Sequence, residues 1–467
     1  MLDHVTNVSA PQIGLAKAGR FERCRGSPGS MSQFDIQNTL YLGDRIYGPV
    51  GLSPAARARH LYIVGQTGTG KSTLLLNLIA QDLVTGRGLA LLDPHGDLAD
   101  AAVDLLPRCR ADDLVWFDPS NLARPIGFNL LARLPEDHRP LVADGVVAAF
   151  RAIWPDSWGP RLEHIFAHAV RTLMDVPGAT LLYLPRLLQD DAFRSRCLRH
   201  LADPVVRAFW THEYAAYPPR FREEAIAPVL NKIGRVLMTP AIRNIVSQPK
   251  SGFDLRFMMD DSRVLIASLS KGALGEGPSH LLGALLVTAL AQAALSRRDV
   301  AEPDRRPFHL FVDEFQSFAT TGFGLILSEA RKYGLTLTLA HQYLAQVPDT
   351  LRDAVFGNTG SIVCFRVGAA DAPVLARQID IANPAALNNL ANHTARASIL
   401  EDGIPSKSFA IDCYPPPPRF HTRANRLKAH ASLRFGRERH IVEDYITRFF
   451  DTTSQVSKTK PSDLQFL

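Results

Sequence analysis

The sequence is poor in cysteine. Its 467 residues include five, at positions 24, 109, 197, 364 and 413. None forms a C-x-x-C pair and no zinc-ligand spacing occurs, so we expect no structural zinc site. An odd number of scattered cysteines favours a reducing compartment over a disulfide framework.

Long hydrophobic runs are also missing. The longest, Leu281–Leu295, has 15 residues and contains Thr and Gln, whereas a bilayer span needs about 18 apolar residues. We therefore expect a buried helix there and no intrinsic membrane span. The N-terminus has no apolar core, so no signal peptide is expected.

Neither sign of charge dominates, since 52 Lys and Arg against 46 Asp and Glu give a net charge of +6. Residues 151–250 hold 14 basic and 9 acidic residues, which is nearly all of the excess. A mildly basic balance permits nucleic-acid binding without requiring it. A solvated basic face and a surface that contacts DNA or a partner both remain open.

The most informative stretch is Gly65–Thr73, GQTGTGKST. It follows the apolar run Leu61–Val64 and precedes the helix-like run Leu74–Ile79, which is the strand–loop–helix order of a P-loop. Glycines let the backbone approach an anion, and successive N–H groups with the helix N-terminus then bind phosphates. The alternative is an ordinary Gly-rich turn. The predicted ATP-binding residues are Gly65, Gln66, Thr67, Gly68, Thr69, Gly70, Lys71, Ser72 and Thr73.

Two of these residues have further predicted roles. Lys71 places its charge on the β- and γ-phosphates, which makes it a catalytic residue as well as a binding one, and Ser72 offers its hydroxyl to Mg²⁺.

A second motif, Phe308–Glu314, has the form of a Walker B strand, with apolar residues followed by two acids. We expect Asp313 to hold Mg²⁺ and Glu314 to deprotonate the attacking water, because a metal-bound acid is a poor base. A surface acid pair at a strand end is the alternative.

Further candidates lie on the strands beyond. Gln342 follows the next predicted strand and is placed to touch the γ-phosphate or the attacking water. His341, beside it, is more typical of a hydrogen-bonded core histidine. Arg331 and Arg366 are candidates for an arginine finger, although each is also a possible structural ion-pair partner. Lys271 is a further candidate for contact with phosphate or DNA.

Apolar strands alternate with helical stretches on both sides of a helix-rich segment. This pattern predicts an α/β fold with a mostly parallel sheet covered on both faces. The predicted organisation is an irregular segment at 1–38, a motor domain formed by 39–130 and 256–435, an inserted helical domain at 131–255, and a C-terminal helix with a mobile tail at 436–467.

Four motifs in this order, GQTGTGKST, LLDPHGDL, FHLFVDEFQSF and SEARKYGLTLTLAHQYLAQ, resemble the HerA/FtsK superfamily of motor ATPases. The helical stretches WGPRLEHIFAHAV and AIAPVLNKIGRVL are similar to its TraD/TraG-type coupling ATPases of conjugative type IV secretion. The resemblance implies a RecA-like fold, a hexamer with ATP and Mg²⁺ between subunits, and DNA in a central pore. Lys71, Ser72, Asp313, Glu314 and Gln342 match its motif positions, whereas the family's arginine finger does not map cleanly. Coupling proteins usually begin with membrane-spanning helices, which this sequence lacks.

The leading hypothesis is an ATP-driven DNA translocase for conjugative transfer or mobile-element processing, with a relaxase or another DNA-processing protein as a candidate partner. Two alternatives remain: an ATP-switched adaptor that recruits a substrate protein, and a P-loop kinase or small NTPase. The expected location is the cytoplasm, or the inner-membrane surface through a partner.

Overall fold

The computed structural model describes residues 35–132, 136–320, 323–419 and 423–456. The strands, in chain order, are β1 (Leu40–Arg45), β2 (Gly48–Leu52), β3 (Leu61–Val64), β4 (Gly88–Asp93), β5 (Leu114–Phe117), β6 (Val264–Ser268), β7 (Phe308–Val312), β8 (Leu335–His341), β9 (Ser361–Cys364), β10 (Thr394–Ser398), β11 (Leu400–Glu401), β12 (Ile404–Pro405) and β13 (Phe409–Cys413). Eleven of them form one sheet, and β11 pairs separately with β12.

Part of this sheet is parallel, in the order β9-β3-β8-β7-β4-β6-β5. The remaining strands, β2-β1-β13-β10, continue the sheet beyond β9 in antiparallel pairing. Carboxyl ends of neighbouring parallel strands meet at one sheet edge, where ligands bind in α/β folds. The segments after β3, β4, β7, β8 and β9 therefore share one edge.

Helices connect the strands. The α-helices span Pro54–Arg57, Lys71–Val84, Asp97–Leu105, Arg139–Ile153, Pro160–Asp175, Leu184–Gln189, Asp191–Leu198, Pro204–Ala208, Pro219–Met238, Pro240–Val246, Leu255–Asp260, Lys271–Leu274, Glu276–Leu295, Phe323–Glu329, Asp349–Asn358, Ala372–Gln378, Ala424–Phe435 and Arg439–Val456. Short 3-10 turns and one π-helical segment, Phe209–Glu213, lie between them.

The central strands are apolar on both faces. On β3, Tyr62 and Val64 belong to one core cluster and Leu61 and Ile63 to another, because successive side chains on a strand point to opposite faces. A parallel sheet covered by helices on both faces reads as continuous apolar runs. The predicted α/β fold with a mostly parallel sheet is confirmed.

Between β5 and β6, the described residues form helices and 3-10 turns. This helical region packs onto helix Glu276–Leu295, where a Cβ on Gly145 would clash with Thr288. Its apolar side chains share one core cluster with one face of the sheet. The division into 39–130, 131–255 and 256–435 therefore remains a prediction.

The long apolar helix lies inside the molecule. Residues Glu276–Asp299 are long and apolar enough to cross a membrane by length and composition, with a mean hydropathy of 1.5. However, 72% of that apolar window is buried within the chain. The expected buried helix is confirmed.

The last described helix is Arg439–Val456, within the segment 436–467 where a C-terminal helix was predicted. It covers the helical region, with the ring of Phe449 centred 4.7 Å from that of Tyr183. Most of the predicted N-terminal segment and the tail from residue 457 lie outside the described residues. Cys197, Cys364 and Cys413 are free thiols.

Candidate functional site

The loop after β3 has the backbone geometry that its glycines allow. Gly68 and Gly70 have φ values of +78° and +122°, which side-chain-bearing residues rarely adopt. At Gly65, a Cβ would lie 2.5 Å from the Cβ of Phe365, so the close packing of loop and β9 requires glycine. Helix Lys71–Val84 begins directly after this loop.

Lys71 lies at the junction of loop and helix. Its Nζ donates to the carbonyl oxygens of Gly65 at 2.5 Å and Gln66 at 3.2 Å. Burial lowers the pKa of Lys71, although the nearby Glu314 and Asp313 carboxylates oppose that shift. In the same helical turn Ser72 is exposed.

Two buried acids follow β7, one strand removed from the loop. Asp313 and Glu314 are only 5% and 6% exposed. Burial, then the negative charges of Glu314 and Asp93, raise the pKa of Asp313 to about 7, and Lys71 opposes the shift. Asp93 accepts hydrogen bonds from the backbone of His95 and Ala99, both at 2.8 Å.

This surplus of buried negative charge fits a divalent cation. Among the described residues, no group of three or more His, Cys, Asp or Glu side chains is arranged to hold a metal. Mg²⁺ is typically held by one or two protein oxygens together with substrate phosphates and water. Asp313 and Ser72 are the residues that would supply those oxygens.

A series of side-chain hydrogen bonds joins the loop to Glu314. The hydroxyl of Thr67 donates to Gln342 Oε1 at 2.9 Å, and Gln342 Nε2 donates to Glu314 Oε1 at 2.9 Å. On the other side, Gln316 Nε2 donates to Glu314 Oε2 at 2.8 Å. Glu314 has a φ of +45°, a sparsely populated conformation that tends to occur at functional sites.

His341 belongs to the core next to these hydrogen-bonded side chains. It is fully buried, and Tyr62 Oη lies 3.1 Å from its Nδ1. Burial, then the charge of Lys71, lower the pKa of His341 to about 3. The predicted core histidine is confirmed.

The two arginine candidates lie at opposite ends of the parallel strands, Arg366 at the carboxyl ends and Arg331 at the amino ends. Arg366 follows β9, and its carbonyl oxygen accepts a hydrogen bond from Gln66 N at 2.8 Å. Arg331 precedes β8, whereas Gln342 follows it. A strand of that length spans roughly 20 Å, so the fold does not bring Arg331 to the site of its own chain.

Sequence reasoning missed three contacts. The first is the hydrogen bond from Gln316, two residues beyond Glu314, to the Glu314 carboxylate. In the second, His393 N donates to Thr69 O at 2.8 Å. In the third, Lys271 Nζ donates to Ser317 Oγ at 2.8 Å. Lys271 therefore fixes the turn after the acids. The spacing of Gln316, two residues after Glu314, could have indicated that the two side chains meet. No local sequence pattern indicates that His393 contacts the loop.

Comparison with known families and structures places these residues in context. The family model for the central domain of helicase HerA matches residues 44–141, which include the P-loop. Residues 44–141 are therefore similar to the central domain of HerA. The predicted resemblance to the HerA/FtsK superfamily is thereby confirmed, although no curated protein sequence matches the chain.

Solved structures share the fold of most of the chain. The bacterial conjugative coupling protein TrwBdeltaN70 matches at a TM-score of 0.60 and 17% identity, covering 87% of this chain and 93% of that one. TrwB with ADP and Mg²⁺ matches at 0.59 and 16%, covering 87% and 94%. VirB4 of Thermoanaerobacter pseudethanolicus matches at 0.53 and 14%, covering 81% and 97%. The RecA-like fold is confirmed.

Proposed function

We propose that this chain is a Mg²⁺-dependent ATPase that drives DNA translocation in conjugative transfer or mobile-element processing. The observation that carries the proposal is the shared sheet edge, where a glycine-rich loop with a buried lysine faces two buried acids and a bridging glutamine. Hydrolysis of ATP uses this combination of parts.

Each residue has a task in the proposed reaction. Lys71 and the loop N–H groups hold the phosphates. Asp313 and Ser72 would hold Mg²⁺, which would neutralise the charge of the phosphates. Glu314 accepts a proton as the water oxygen attacks the γ-phosphorus, and the bond to the β–γ bridging oxygen breaks. Gln342 links the phosphate loop to Glu314, so nucleotide binding is communicated to the base.

The proposed transport role is supported by the fold and by the distribution of charge. TrwB is described as a conjugative coupling protein, and residues 151–250 carry an excess of basic residues. We extend to this chain the expectation of a hexamer, with Arg331 reaching the site of a neighbouring subunit and a relaxase as a candidate partner.

The first prediction concerns hydrolysis. Purified protein should hydrolyse ATP faster with DNA present, and the stimulation should decline between about 50 and 200 mM salt, because phosphate contacts release counterions. Phosphate release is measured with single-stranded, double-stranded and no DNA. Lys71→Ala should lose nucleotide binding or turnover, and Glu314→Gln should bind ATP without hydrolysing it.

Two results would change this proposal. Wild-type turnover in Lys71→Ala would contradict the assignment of the phosphate loop. Slow hydrolysis that DNA does not stimulate, together with nucleotide-controlled binding of a protein, would favour the ATP-switched adaptor.

A further inference from the structure

We infer that Gln316 is a further residue of the hydrolysis site, which positions Glu314 and binds the attacking water. The inference rests on the proposed function, because it takes Glu314 as the base. Gln316 lies in the 3-10 turn Phe315–Ser317, directly after the acid pair.

Gln316 and Gln342 hold Glu314 from two sides. The Nε2 atoms of the two glutamines donate to different carboxylate oxygens of Glu314, at 2.8 and 2.9 Å. These two bonds fix the orientation of the carboxylate. An ionised carboxylate accepts about four hydrogen bonds, so it keeps capacity for a water molecule.

The two glutamines differ at their other amide atom. Gln342 Oε1 accepts a hydrogen bond from Thr67. Gln316 Oε1 is buried and has no hydrogen-bond partner within the described part of the chain. A buried acceptor left unpaired is costly, and such atoms in folded proteins call for an explanation. Here the unpaired acceptor belongs to a side chain already in contact with the base.

An attacking water needs two acceptors for its two O–H groups. Glu314 takes the proton that is transferred as the water oxygen bonds to the γ-phosphorus and the bridging oxygen leaves with its electron pair. The second O–H remains on the product phosphate and needs an acceptor that does not compete for the proton. The neutral Oε1 of Gln316 meets that requirement.

The turn that carries Gln316 is held in place. Ser317 N donates to Glu314 O at 2.8 Å, and Ser317 Oγ accepts from Lys271. Phe318, next along the chain, is fully buried against Gly283 of helix Glu276–Leu295. A side chain on such a turn is preorganised, which is the condition for positioning a reactant.

The test is Gln316→Met, which keeps a side chain of similar length. It removes the hydrogen bond to Glu314 and the acceptor proposed for the attacking water. We expect kcat for ATP hydrolysis to fall roughly tenfold to a hundredfold, with ATP affinity and thermal unfolding close to wild type. Gln316→Glu, which replaces the donor by an acceptor, should lose kcat as well. Gln378→Met is the matched control, because Gln378 is an exposed glutamine at the end of helix Ala372–Gln378, and it should leave kcat unchanged.

Failure of this inference is distinguishable from failure of the proposed function. If Glu314→Gln hydrolyses ATP like the wild type, the proposed base is wrong. If Glu314→Gln is inactive while Gln316→Met keeps the wild-type kcat, this inference alone is overturned. A parallel loss of ATP affinity and thermal stability in Gln316→Met would also overturn it, since that result indicates a purely structural side chain.

Discussion

At the scale of single residues, Arg366 is better placed to hold its own P-loop than to act on a neighbouring subunit. Its guanidinium donates to Leu390 O at 3.2 Å and to Asn392 Oδ1 at 3.1 Å. His393, which follows Asn392, donates a backbone hydrogen bond to Thr69 of the P-loop. The side chain of Arg366 thus ties down a segment that packs against the loop.

We therefore predict that Arg366→Ala weakens ATP binding about tenfold, since hydrogen bonds from a charged group are worth about 1.5–3 kcal/mol and some of this loss is recovered by relaxation. Titration with a fluorescent ATP analogue measures the affinity. Arg331→Ala is the control, because an arginine finger acts on the transition state and its loss should lower kcat while leaving affinity intact. Unchanged affinity with lost turnover in Arg366→Ala would instead favour the finger role.

The site residues differ in how far the sequence reveals them. Lys71, Asp313 and Glu314 lie in motifs whose chemistry requires a fixed local spacing, so the sequence was sufficient to predict that they lie together. Gln342 was predicted from its strand position alone, and β8 indeed lies beside β7. The contact of His393 with the P-loop depends on β10 and β13 folding back beside β9, which no local pattern encodes.

At the scale of elements, helix Glu276–Leu295 links the sheet, the helical region and the turn after Glu314. Gly283 on this helix lies against the ring of Phe318, so closely that a Cβ would overlap it. Both are buried, so neither can move into solvent to relieve the overlap. Small residues on this helix therefore determine how closely it approaches the turn that carries Gln316.

Gly283→Ala should destabilise the protein by about 1–3 kcal/mol, the usual range for overpacking a core, and should slow ATP hydrolysis through the displaced turn. Urea unfolding and phosphate release measure the two effects. Gly277→Ala is the matched control in the same helix, because its Cβ would meet only Ile153 Cγ2 at 3.9 Å. It should be neutral or slightly stabilising, since alanine favours helix. Equal stability of the two variants would contradict the packing argument.

The parallel strands and the buried helix were predictable because they are mostly apolar. The antiparallel extension by β1, β2, β10 and β13 was not predicted as part of the same sheet. These strands are short or only partly buried, and β1 pairs with β13, which lies more than 360 residues later in the sequence. The docking of helix Arg439–Val456 on the helical region is likewise a long-range contact between apolar faces, which amphipathic patterning alone does not assign to a partner.

At the scale of the whole molecule, three buried histidines couple folding to pH. Burial, with nearby Arg331, lowers the pKa of His60 to about 4 despite a backbone hydrogen bond that opposes the shift. Burial and Arg57 hold the pKa of His309 well below its ordinary value, and that of His341 is about 3. All three are neutral in the folded chain, whereas in the unfolded chain they take up protons below about pH 6.5.

Stability should therefore fall as the pH decreases below about 6.5, by about 1.4 kcal/mol per pH unit for each histidine. Asp313 acts in the opposite direction, because its raised pKa of about 7 means that the folded chain binds a proton before the unfolded chain does. Asp313 offsets one of the three histidines, so the protein still loses stability as the pH decreases below about 6.5. Urea midpoints at pH 7.5, 6.5 and 5.5, without nucleotide or Mg²⁺, measure this slope.

Two variants separate the contributions. Asp313→Asn removes the opposing group and should make the acid dependence steeper. His60 accepts a hydrogen bond from Leu337 N at Nδ1 and lies 3.0 Å from Leu327 O at Nε2, so its ring is held as the neutral Nε2–H tautomer. His60→Gln should therefore make the dependence shallower, although the protein will be less stable at every pH. A urea midpoint that stays constant between pH 7.5 and 5.5 would show that these histidines do not control acid stability.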